Sequence, residues 1–118
     1  MQMMVGIQAS RKFDDYAVFL RAMGTALSMM EDGEKYFTIC SAGPARLNSM
    51  ALEFANVSER SLKARGIYVR VRKVPPYWIK NNIAELGYFA YFSKPKEPAS
   101  DLVECAEGND IEVGVYRF

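Results

Sequence analysis

Residues Tyr36–Phe54 read YFTICSAGPARLNSMALEF, and this stretch decides how the chain is understood. A short apolar run ends in Ser41-Ala42-Gly43, and Pro44 opens a longer segment with apolar residues at helical spacing. That is a strand, a tight turn and a helix. Proline suits the first helical turn, where its missing N–H costs nothing, and the glycine before it lets a ligand approach the backbone. A helix that starts at the carboxyl end of a strand points unpaired N–H groups into the crevice above a sheet. Phosphate suits such a place.

The same alternation runs outward from this stretch in both directions. Met3–Ala9 reads as a first strand, Ser10 to Phe13 as a turn, and Asp14 or Asp15 as the cap of a helix. Tyr16, Leu20, Met23, Leu27 and Met30 form the expected buried stripe of that helix. After Gly43, the stripe is Leu47, Met50, Phe54 and Val57, and Gly66 is the expected left-handed stop. Residues 67–73 alternate apolar and polar, as an edge strand does, whereas 36–40 and 88–92 are apolar on both faces. A short helix over 77–86 and another after Ser100 fill the remaining connections, and 111–116 is a second alternating strand.

Five strand–helix alternations with short links predict one α/β domain over residues 1–118 with a mainly parallel, Rossmann-like sheet. The continuous strands belong inside and the alternating ones at the edges. With right-handed crossovers this gives the order 3-2-1-4-5. The switch point lies between the first and fourth strands, and the strand ends facing it carry Ser10-Arg11, Ser41 to Gly43, Ser93 and Ala99-Ser100.

Composition excludes several functions. Fifteen Lys+Arg against 14 Asp+Glu leave a net charge of +1, so no global field draws in nucleic acid, which is not expected as a partner. No apolar run reaches the length of a membrane span, and the first residues lack the pattern of a signal peptide. Cys40 and Cys105 read as reduced thiols of a cytoplasmic protein. The chain has no histidine, which removes Ser-His and Cys-His nucleophile pairs and imidazole metal sites. No cofactor or metal is expected.

Six residues are candidate ligand contacts. Arg11 can clamp a phosphate bidentately, because guanidinium is planar and permanently charged, or it is an exposed turn arginine. Gly43 either opens the helix N-terminus to a phosphate or is a plain turn glycine. Arg46 sits against the dipole in the first helical turn, which favours an anionic partner or an ion pair with Asp or Glu. Asn48 can bond a ribose or base edge, or lie exposed. Ser10 and Ser41 can donate to phosphate oxygens, as turn serines also do without ligands.

The segment Ser10-Arg-Lys-Phe-Asp-Asp-Tyr16 resembles the G-S-R-x-F-x-D-Y opening of small YspA-like proteins of the SLOG superfamily. Residues 42–51 are similar to the second motif of that family, G-G-A-R-G-A-D-x-L-A, with Ala42 and Gly43 at its glycine pair and Asn48 at its Asp. Lys80-Asn81, Ala99-Ser100 and Val113–Arg117 resemble later family elements in the same order. Ala42, Arg46, Asn48 and Ala99 depart from the pattern, and the P-G-G-x-G-T-x-x-E motif with its catalytic Glu is absent. The resemblance implies a Rossmann-type fold that binds a nucleotide-derived ligand without hydrolysing it.

Three functions follow as expectations. The first is non-catalytic sensing or sequestration of a small nucleotide-like ligand at the switch-point crevice. The second is a structural or interaction protein, such as a phage accessory protein, that uses the fold for self-assembly or partner binding; a homo-oligomer is expected in either case. The third is a nucleotide hydrolase or lyase, for which Asp15 and Glu53 are the available carboxylates.

Overall fold

The computed structural model describes residues 2–98 and 100–118. Strands β1 (Gln2–Ala9), β2 (Tyr36–Ser41), β3 (Tyr68–Lys73), β4 (Tyr88–Ser93) and β5 (Val113–Arg117) alternate with helices α1 (Tyr16–Ser28), α2 (Ala45–Ala64), α3 (Pro76–Asn81) and α4 (Asp101–Gly108). A short 3₁₀ turn, Ile83–Glu85, follows α3 in place of the single longer helix expected over 77–86. All pairings are parallel and the order is β3-β2-β1-β4-β5. This is the order expected from the burial patterns: β4 is buried at every position, and β3 alternates at an open edge.

Two apolar layers sandwich the sheet. Met3, Val5, Ile7, Phe37, Ile39, Ala90 and Phe92 pack on α1 and α2 through Phe19, Met23, Leu47, Met50 and Phe54. Met4, Cys40, Phe89 and Tyr91 face α3 and α4 through Ile79, Leu102, Val103 and Ala106. A fully buried side chain such as Phe19 contributes about 1.5–3 kcal/mol.

The buried stripes differ from those expected in two places. In α1 the core side is Val18, Phe19, Ala22, Met23 and Ala26, and Leu20 is exposed. Both stripes obey helical spacing, but this one buries Phe19 and presents two alanines that let the helix lie close to the sheet. In α2 the stripe continues from Phe54 to Leu62, and Val57 is 71% exposed. At about 100° per residue Val57 falls roughly 60° from Phe54 on the side away from Leu47, Ala51 and Leu62, at the margin of the buried arc.

Helix ends follow local chemistry. The Asp15 side chain accepts the Val18 N–H at 3.2 Å and caps α1. Gly66, at φ +78°, ends α2 in a Schellman motif, with the Ile67 N–H on the Leu62 carbonyl and the Gly66 N–H on that of Lys63. The α4 exit repeats this arrangement with Asp110, at φ 58°, as its left-handed residue, and Gly108 is the last residue of the helix. Pro44 precedes the first turn of α2 instead of occupying it.

Candidate functional site

The register brings the carboxyl ends of all five strands to one edge. Ile7 lies opposite Ser41, Ser41 opposite Lys73, Ala9 opposite Phe92, and Ser93 opposite Arg117. The helices after β1 and β2 cover one face, and those after β3 and β4 cover the other. The loops leaving β1 and β4 therefore diverge, and a crevice opens between them.

The β1–α1 loop is held rigidly. The Ser10 N–H donates to the Phe92 carbonyl at 2.8 Å, and the Phe13 N–H closes the turn onto the Ser10 carbonyl at 3.1 Å. The buried Phe13 ring stacks on Phe92 with centroids 4.5 Å apart and meets Phe118 edge-on at 5.0 Å. This anchor leaves Arg11 and Lys12 exposed at the tip. Together with Ser10, Lys94 and Glu97 they line a cavity of about 250 Å³. Among the described residues, the buried Ser10 Oγ has no hydrogen-bond partner.

The β4–α4 loop, which carries Lys94 and Glu97, is held from the end of β5. The Arg117 guanidinium donates to the buried Ser93 hydroxyl and to the carbonyls of Lys94 and Glu97, each at 3.1 Å. Burial raises the pKa of the neighbouring Tyr91 hydroxyl, the Glu97 carboxylate raises it further, and Arg117 lowers it.

The β2–α2 turn uses its polar residues internally. The Ser41 hydroxyl donates to the Asn48 side-chain carbonyl, and the Arg46 Nε pairs with an Asp14 oxygen at 2.5 Å. Gly43 adopts φ +90°, its carbonyl accepts the Ala9 N–H at 3.2 Å, and a Cβ there would meet nothing within 4 Å. Its backbone conformation, not close approach of a neighbour, calls for glycine. The α2 start has no side-chain cap and no acidic residue in its first turn, whereas Asp15 caps α1 and Asp101 and Glu104 begin α4.

Of the six expected ligand contacts, Ser10 and Arg11 therefore line one cavity. Ser41 and Asn48 bond each other, Arg46 bonds Asp14, and Gly43 shapes the turn. Lys12, Lys94 and Glu97 join the cavity. Lys94 follows Ser93, already expected at the crevice, but its meeting with Arg11 depends on the β1–β4 register. A second cavity of about 230 Å³ is lined by residues including Gln8, Tyr77, Lys80, Ser100 and Asp101. There the Ser100 hydroxyl donates to the Gln8 side-chain carbonyl at 2.6 Å while capping α4 through the Leu102 N–H at 3.2 Å. Ala99, expected beside it, lies outside the described residues. Asp15 serves as a cap, and Glu53 lies on the exposed side of α2, so neither lines the crevice.

Among the described residues no cluster of His, Cys, Asp or Glu could hold a metal ion, and no helix is long and apolar enough to cross a membrane. Comparison of the chain with protein-family models, curated proteins and solved structures finds no match.

Proposed function

We propose that this protein binds a small phosphorylated, nucleotide-derived ligand at the carboxyl ends of β1 and β4, without catalysis. The observation that carries the reading is a cavity lined by Ser10, Arg11, Lys12 and Lys94, next to which the buried Ser10 hydroxyl lacks a partner. A buried hydroxyl without a partner costs about 1–3 kcal/mol, and a phosphate oxygen is an acceptor that removes that cost. Arg11 supplies a planar bidentate donor, and the two lysines supply point charges. The resemblance to SLOG proteins points to the same ligand class. Glu97 on the same rim opposes an anion and limits affinity.

The test is a thermal-shift screen with mononucleotides, dinucleotides, cyclic nucleotides and inorganic phosphate. A ligand at 100 times its Kd stabilises the fold by about 2.7 kcal/mol, a readily measured shift. Folded protein that none of these compounds stabilises would refute the proposal.

A further inference from the structure

The near-neutral total charge conceals a strong polarity across the sheet. Residues 60–80, which include β3 and the end of α2, contain seven Lys or Arg and no Asp or Glu. Residues 101–118, which form α4 and β5, contain five Asp or Glu against one Arg. β3 and β5 are the two outer strands, about 19 Å apart over four strand spacings, and apart from Lys80 and Asp101, which line one cavity beside Gln8, the opposite charges sit toward opposite edges.

We infer that copies of this chain associate head to tail, the basic β3 edge of one docking on the acidic β5 edge of the next. Each edge strand pairs on one side only and presents a row of backbone donors and acceptors on the other. Like charges oppose β3 meeting β3 and β5 meeting β5. Only the unlike pair is attractive, and it continues the parallel sheet. The charges also lie where such a contact needs them. Arg72 stands over the Trp78 ring of α3, and Arg70 and Arg72 alternate with the inward Val69 and Val71, so both arginines project on the α3–α4 side of the sheet. Glu107 and Asp110, at the end of α4, lie on that same side. Cavities of about 420 and 400 Å³ flank these edges, one beside Tyr68 and Val69 on the α2 side of the sheet, the other beside Glu107, Asp110 and Glu112 at the end of α4. Exposed Tyr68 and Val115 add apolar area to the two edges. A heterologous contact of this kind propagates into a ring or a filament instead of stopping at a dimer.

The test is sedimentation velocity of the full chain across concentration and salt. At about 0.01 M ionic strength the mass should climb with concentration past the dimer, and at about 1 M, where the Debye length falls to about 3 Å, it should return to monomer. Arg70→Glu/Arg72→Glu turns β3 itself from +3 to −1, so that both edge contacts become acidic, and Glu107→Lys/Glu112→Lys turns the Glu107, Asp110 and Glu112 group from −3 to +1, so that both become basic. Each variant alone should be monomeric, and an equimolar mixture should recover association, because every contact then joins unlike edges. Circular dichroism checks folding, and Lys73→Glu with Glu107→Lys is the milder pair if a double variant does not fold. Wild type that stays monomeric at low salt overturns the inference, including the case in which its basic edge instead captures a short nucleic-acid duplex. So does association that survives in a variant alone, or a folded mixture that remains monomeric.

Discussion

Arg46 in the first turn of α2 is held by Asp14 of the β1–α1 loop, Nε to carboxylate oxygen, across the carboxyl edge of the sheet. Both side chains are exposed, so the pair is a surface contact of small energetic weight. Its consequence is electrostatic: Asp14 neutralises the cation in the first turn of α2, a helix start with no side-chain cap and no acidic residue of its own. Asp14→Asn should leave the thermal midpoint unchanged and tighten phosphate or nucleotide binding a few-fold, as for one added exposed charge. Calorimetric titration of the two proteins checks this, and equal affinities would show that Arg46 stands apart from the ligand.

Ser41 behaves oppositely. Its hydroxyl is buried at the end of β2 and bonds Asn48, joining strand to helix. Ser41→Ala removes that bond and leaves the amide short of a partner, so urea unfolding should show a loss of about 1 kcal/mol. Ligand affinity should stay unchanged.

The two Schellman turns differ in their left-handed residue, Gly66 after α2 and Asp110 after α4. A side chain in that conformation costs about 1–2 kcal/mol, and glycine's greater freedom in the unfolded chain returns part of the gain. Asp110→Gly should therefore raise stability by up to about 1 kcal/mol in urea unfolding. A loss would mean that the Asp110 side chain stabilises the turn in some other way.

Burial pushes the Cys40 thiol up to about 11 from 9.0, with Arg72 pulling it partly back. The folded state thus holds its proton at pH values where the unfolded chain has released it. Stability is fully present below about pH 9 and falls as pH rises through about 11. Burial also raises Tyr88, Tyr91 and Tyr16, which extends the loss above pH 10. Unfolding measured across the alkaline range should show this decline, and Cys40→Ala should flatten its first section. In the folded protein Cys40 should resist thiol reagents near pH 8, where Cys105, only partly buried, reacts.

The architecture was readable in the residues because burial on both faces leaves a continuous apolar run, as in 36–41 and 88–93, and an edge leaves alternation, as in 68–73. Those patterns, together with right-handed crossovers, order the five strands. The site was less legible. Arg11 and Ser10 stood out beside the first strand, but Lys94 joins them only through pairing of Ala9 with Phe92, and Arg117 reaches the same loop only because Ser93 lies opposite it. Such meetings depend on register between distant segments, which spacing along the chain does not encode. Ser41, Arg46 and Asn48 carried the right chemistry for a ligand, yet bonds to one another and to Asp14 hold them in the turn.

The most direct test of the central claim is isothermal titration calorimetry of wild type and Arg11→Ala with the tightest ligand from the nucleotide screen. Wild type should show one saturable site whose affinity falls at least about tenfold, ~1.4 kcal/mol, in Arg11→Ala, as expected for a lost charge-assisted hydrogen bond. Wild-type protein that binds nothing, or binding that Arg11→Ala leaves intact, would contradict it.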